Sequence, residues 1–164
     1  MKNKINLFIL FLFIAIYAQA EKSYSIQNDA LILPNKIQFD VHDYDIKNEA
    51  DPMLDLIADY LKDKNTITKF RIEGHVYTEK SQEENMKLSL QRAAMISYYL
   101  TERGISCDRL IPVAFGDMKP IAPTDECNIN NNTRISFFNA EINYMAIPGK
   151  AVDGFAIKEF NPCE

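Results

Sequence analysis

After residue 17 the sequence has no further long apolar run, so no later segment is read as a membrane-spanning helix. It also lacks the many evenly spaced amphipathic strands of an outer-membrane barrel. A basic stripe is missing too: 18 Lys and Arg stand against 23 Asp and Glu. An acidic surface repels nucleic acid and anionic lipid, so no nucleic-acid partner is expected. Cysteine is scarce, with only Cys107, Cys127 and Cys163. Neither their spacing nor the positions of His42 and His75 resembles a metal site, and no metal or cofactor is expected. There is no internal repeat and no low-complexity stretch.

What is present at the start reads as a secretory signal over residues 1–20. Lys2 and Lys4 give a positive head, Ile5 to Tyr17 an apolar stretch, and Ala18-Gln19-Ala20 a small-x-small cleavage site. The stretch is short of the roughly 20 residues that a span needs. No Cys follows the site, so a lipid anchor is not expected. The mature chain is expected to begin at Glu21 and hold 144 residues, enough for one domain with a real core. Losing Lys2 and Lys4 leaves 16 basic residues against 23 acidic ones, a net charge of −7. In an exported chain three cysteines allow one disulfide and one leftover thiol. The expected pair is Cys127–Cys163, closing a loop of about 35 residues, with Cys107 left as a buried thiol.

The pattern along the chain predicts an α/β fold. Residues 21–35 read as a polar N-terminal extension. Ile37 to Val41 alternates apolar and polar, as a half-buried strand does. Asn48 or Asp51 caps a helix carrying Leu54, Ile57, Ala58 and Leu61 on one face, ending near Lys64-Asn65. Ile67 to Gly74 is a second strand, and a long helix runs from about Glu83 to Arg103, with Gly104 as a left-handed stop. Leu110 to Phe115 and Thr133 to Tyr144 are the third and fourth strands. The order βαβαββ predicts a two-layer sandwich: a mixed four-stranded sheet with helices on one face. A C-terminal tail over 146–164 carries a possible small hairpin around Asp153-Gly154.

The long helix holds the chemistry. At 100° per residue, Asn85, Leu88, Ser89, Arg92, Ala93, Ile96, Tyr99 and Leu100 share one arc of about 140°. A guanidinium on that packed face needs a partner. Either Arg92 meets an internal carboxylate or it lines a pocket open to an anionic ligand. Ser89 has no His and Asp at a triad-like spacing, and His75 reads as a packed strand-end histidine. No catalytic residue is assigned, and a binding protein is expected rather than an enzyme.

These residues carry a family resemblance. Arg71-Ile72-Glu73-Gly74-His75, then Asn85-x-x-Leu88-Ser89-x-x-Arg92-Ala93, then Tyr99-Leu100, resembles the signature of the OmpA-like domain. Asp108-Arg109-Leu110, Gly116, Pro120 and Asn132-Thr133-Arg134-Ile135 continue the match, which covers residues 36 to 143. The domain is placed at 36–145.

The resemblance implies non-covalent binding of peptidoglycan through its diaminopimelate. Arg92 would grip a carboxylate, and Tyr77, Asn85, Leu88, Ser89 and Arg134 would complete the site. Tyr77 stands where the family carries an Asp that grips the ammonium, and Lys80 replaces a Gly. Two functional classes follow. One is a wall-binding module, exported to the periplasm and associated with the outer membrane. The other is a protein-interaction module of an envelope assembly.

Overall fold

The computed structural model describes residues 23–40, 42–123, 132–150 and 163. The expected signal segment, Cys127 and the expected hairpin around Asp153-Gly154 lie outside the described residues.

The structure is a mixed sheet with two helices. Its strands are β1 (Ser25–Gln27), β2 (Ala30–Ile32), β3 (Ile67–His75), β4 (Leu110–Gly116), β5 (Arg134–Ile142) and β6 (Met145–Ala146). The helices are α1 (Asp51–Asp63) and α2 (Gln82–Glu102). Strand order is β1-β2-β5-β3-β4, with β6 pairing off β5. β3 runs parallel to β4 and antiparallel to β5. A parallel pair needs a long crossover, and α2 supplies it. Pro112 sits in β4 at the end of the order, where a missing backbone donor is tolerated.

The first predicted strand is corrected. Residues 37–40 form no ladder; Phe39 makes one isolated bridge to Ile46. The strand beside β5 comes instead from Ala30–Ile32, within the segment expected to be irregular. Alternation at Ile37 and Phe39 reflects burial on one side, since Ile37 is in the core and Phe39 packs against it. Period-two burial requires an extended chain, not a paired one.

α1 opens through a short 3-10 turn, Asn48–Ala50, with no side-chain cap, and Pro52 lies in its first turn. Its C-terminal carbonyls are met by Arg109, which donates to the Leu61 carbonyl at 2.8 Å and the Lys64 carbonyl at 3.2 Å. α2 begins with a capping box, in which the Ser81 hydroxyl accepts from the Glu84 N–H and Glu84 reaches back to the Ser81 N–H. Gly104 follows it with φ of +85°, the left-handed stop expected there. Arg103 then ties the helices together, reaching Asp51 at 2.8 Å and Asp55 at 2.7 Å.

Leu54, Ile57 and Leu61 of α1 meet Phe70 and Ile72 of β3 and Ile96 and Leu100 of α2 in one core, all fully buried. Phe70 and Ile72 point to that side. Arg71, Glu73 and His75 alternate to the other face of β3, and all three are buried. There Arg71 Nη2 meets Glu73 at 2.6 Å, and the second Glu73 oxygen lies 3.2 Å from His75 Nε2.

The disulfide expectation is corrected as well. Cys163 is bonded to Cys107, not to Cys127, with Cα atoms 5.1 Å apart. Cys107 opens the short 3-10 turn before β4 and is half-buried, not an isolated core thiol.

Candidate functional site

The N-terminal half of α2 lies close against the ends of β3 and β4. A Cβ on Gly74 would fall 1.9 Å from the Ser89 carbonyl oxygen. The Gly116 N–H donates to Ser89 Oγ at 3.0 Å, and Ser89 Oγ donates to the Met86 carbonyl at 2.8 Å. Ser89 is therefore a fully buried staple between helix and sheet. Asn85 is equally buried: its carbonyl oxygen accepts from the Thr78 hydroxyl at 2.6 Å, which fixes the turn leading into α2. Leu88 is buried beside them.

Arg92, one turn on, holds a different segment. Its Nε donates to the Asp43 carbonyl at 2.9 Å and its Nη2 to the Asp40 carbonyl at 2.6 Å. Its guanidinium carbon lies 4.8 Å from the centre of the Phe39 ring. The internal partner expected for Arg92 is thus backbone and aromatic ring. Burial lowers the guanidinium pKa, opposed by the nearby charge of Asp43, and arginine remains charged at any working pH.

Arg92 also lines a cleft of about 390 Å³, as in the second alternative; among the described residues its hydrogen-bond acceptors are backbone carbonyls rather than the internal carboxylate of the first. The other described lining residues are Lys36, Ile37, Gln38, Phe39, Thr133, Arg134 and Ile135. Arg134 is held at the entrance to β5, donating to the Asn132 carbonyl at 3.0 Å and the Lys119 carbonyl at 3.1 Å. Burial lowers its pKa, opposed by Glu73. Asn132 anchors the same corner: its side-chain oxygen accepts the N–H groups of Ile121 and Ala122. A second cleft, of about 640 Å³, shares Lys36 and Gln38 with the first and continues along Pro34, Asn35, Lys47 and Glu49.

Of the six residues predicted for the site, Arg92 and Arg134 come together in the cleft. Asn85, Leu88 and Ser89 are not part of its described lining; their packing builds the frame. Tyr77 is half-buried and meets the cleft-lining residue Thr133. The Tyr77 N–H donates to Thr133 Oγ1 at 3.0 Å, and the Tyr77 carbonyl accepts from the same hydroxyl at 3.1 Å. Lys36, Gln38 and Thr133 were not predicted. Phe39 carried a signal, as an aromatic at an inward position, but nothing in the sequence marked Lys36.

The comparisons with known proteins follow this geometry. The model of the OmpA family matches residues 38–134. The chain belongs to the OmpA family. That family is non-enzymatic. The peptidoglycan-associated lipoprotein of Rhizobium meliloti (strain 1021) is 31% identical over 100 residues, 61% of this chain and 56% of that protein. A stretch of the photosystem I P700 chlorophyll a apoprotein A2 of Gloeobacter violaceus is 29% identical over 102 residues, 62% of this chain. The OmpA-family chain thus spans 12% and 56% of these two relatives. A match to so small a part of the photosystem protein carries nothing of its activity here. Among solved structures, the peptidoglycan-associated lipoprotein from Burkholderia pseudomallei superposes with a TM-score of 0.58 at 24% identity. It covers 63% of this chain and 89% of that one, and establishes the shared fold.

Proposed function

We propose that this OmpA-family chain is a periplasmic protein that binds peptidoglycan non-covalently, with a carboxylate of a wall peptide seated between Arg92 and Arg134. The observation that carries the reading is the presence of these two arginines in the lining of one open cleft, in a chain similar to a lipoprotein named for association with peptidoglycan. A forked, permanently charged donor suits a planar carboxylate. The adjoining second cleft, joined at Lys36 and Gln38, leaves room for the rest of an extended peptide. The proposed signal segment would deliver the protein across the inner membrane. Among the described residues no helix is long and apolar enough to cross a membrane.

A second reading has its own support. Tyr44, Ala94, Met95 and Tyr98 line a mostly apolar groove of about 420 Å³ on the outer side of α2. This suits an envelope protein as partner, with wall binding lost along with the acid at position 77. Sedimentation of the purified mature protein with insoluble peptidoglycan separates the two. Wall binding predicts that the protein pellets and that Arg134→Glu releases it. A wild-type protein that stays in the supernatant would leave the interaction module as the better account.

A further inference from the structure

The turn before β4 gathers three atoms of metal-binding type. Cys107 Sγ, Cys163 Sγ and a carboxylate oxygen of Asp108 all lie within 4.8 Å of one another. Cys107 and Asp108 are consecutive in the 3-10 turn Cys107–Arg109, and Cys163 joins them from 56 residues further along the chain. Such a separation is why spacing in the sequence marks no metal site here. The Ser106 hydroxyl donates to Oδ1 of Asp108, which orients the carboxylate and leaves its second oxygen to a cation. The neighbouring basic side chains are engaged with backbone. Lys69 Nζ donates to the Asp108 carbonyl at 2.5 Å, and the Arg109 guanidinium donates to the carbonyls of Leu61, Lys64 and Ile67.

In the oxidised chain the two sulfurs are bonded to each other and take no metal. That bond is open to attack, because Cys163 is exposed and Cys107 only half-buried. A dithiol, free or on a protein, supplies the two electrons. The Cys107–Cys163 bond breaks, two thiols form, and the dithiol leaves as its own disulfide. A zinc-class cation then binds both sulfurs as thiolates and releases their two protons to solvent. Tetrahedral zinc asks the sulfurs to part to about 3.8 Å. Cys163 is the penultimate residue, so a chain end makes that movement while the sheet stays in place. We propose that the reduced form of this chain holds one zinc-class divalent cation on Cys107, Cys163 and Asp108, with water in the fourth position. Thiolate ligands select such a cation over magnesium or calcium. The metal would take over the task of the disulfide and keep residue 163 tied to the start of β4 in either redox state. The site shares no residue with the described lining of the Arg92 cleft and does not depend on what fills it.

The test uses the mature protein carrying Cys127→Ser, so that Cys107 and Cys163 are its only cysteines. It is reduced with dithiothreitol, freed of reductant without air, and titrated with cobalt(II) as a coloured substitute for zinc. One equivalent is expected to give thiolate-to-cobalt charge-transfer absorption with the visible bands of a tetrahedral ion, and zinc should bleach both. Oxidised protein should give neither. Asp108→Asn keeps both thiolates and should weaken the affinity at least about tenfold. Zinc should also raise the thermal midpoint of the reduced protein, because it binds the folded chain. Absence of the charge-transfer band after reduction overturns the proposal. So does an equal affinity in Asp108→Asn, which would mean chelation by two thiols alone, and so does an equal response from oxidised protein. A midpoint that zinc leaves unchanged or lowers, or a reduced chain that stays unfolded with zinc, would put the metal on the unfolded chain and overturns it as well.

Discussion

The Ser89 carbonyl oxygen occupies the space into which a side chain on Gly74 would grow, 1.9 Å from an ideal Cβ. Two backbones, one in a strand and one in a helix, touch at that point. Gly116 repeats the relation more loosely, with a Cβ 3.0 Å from the Met86 nitrogen and a φ of +49° that disfavours any side chain. The short-side-chain positions of the sequence motif are thus what bring α2 down onto β3 and β4.

Gly74→Ala is therefore expected to destabilise the protein by about 1–3 kcal/mol or more, the cost of overpacking where only backbone can yield. Urea unfolding of the mature protein measures it. A midpoint unchanged from wild type would show that α2 can lift off the strand at little cost. Because the cleft lies further along α2, the shift should also weaken peptidoglycan binding.

Arg92 serves both structure and cleft, and its substitutions should separate the two. Arg92→Ala removes the charged donor from the Asp40 and Asp43 carbonyls, leaving Asp40 only the Asp43 N–H, and takes the cation from Phe39. Hydrogen bonds from a charged group are worth about 1.5–3 kcal/mol, so a loss of about 2–4 kcal/mol in stability is expected. Arg92→Lys retains charge but not the fork, and should recover part of the binding and little of the stability. Circular dichroism melts beside sedimentation with peptidoglycan read both quantities. An Arg92→Ala protein as stable as wild type would contradict the loop-holding role.

How much of this was legible in the sequence depends on what each residue contacts. The apolar stripes of α1 and α2 and the stop at Gly104 were readable because they reflect local periodicity and backbone preference. The start of α2 lies at Gln82 because Ser81 and Glu84 form a capping box, a signature that the sequence carries at that spacing. The segment 37–41 was misread because alternation reports which side is buried, and says nothing about ladder partners. Ala30–Ile32, which does pair with β5, is too short to show a pattern. Arg92 was marked as needing a partner, but its partners are backbone carbonyls, which have no sequence signature. Lys36 lines the cleft from a stretch outside the sheet ladder, whose Phe39 and Asp40 meet Arg92 of α2.

The disulfide is the clearest case of a long-range contact that spacing could not rank. Cys163 meets Cys107, 56 residues away, and closes a larger loop than the pairing expected from proximity to β5. By chain entropy such a loop is worth about 4 kcal/mol. Cys163→Ser should lower stability by up to that amount, and Cys127→Ser should leave the bridge in place. Mapping of non-reduced peptides by mass spectrometry decides the connectivity, and a Cys127–Cys163 peptide would reverse the assignment.

The last prediction concerns pH and the buried row on β3. His75 stacks on Phe115, with ring centres 5.3 Å apart, and its Nδ1 has no hydrogen-bond partner. Burial pushes its pKa down, against the opposing hydrogen bond to Glu73; the charges of Arg134 and Lys119 push the same way as burial. For Glu73, burial alone would raise the pKa. The hydrogen bond to His75 and the charges of Arg71, His75 and Lys119 outweigh it and hold the carboxyl below its ordinary value. Both groups therefore bind fewer protons in the folded state than in the unfolded one, and stability rises with pH through each window. The His75 contribution is fully present above the unfolded value of about 6.5 and is lost as pH falls below it. The Glu73 contribution is lost only in the more acidic range below about pH 4.5. Urea midpoints should fall steadily from about pH 7.5 to pH 5. His75→Gln should flatten that slope while Glu73→Gln lowers stability at neutral pH, because Arg71 and His75 then lose their shared carboxylate. A wild-type midpoint that is constant across this range, or that rises on acidification, would mean that His75 is protonated inside the fold.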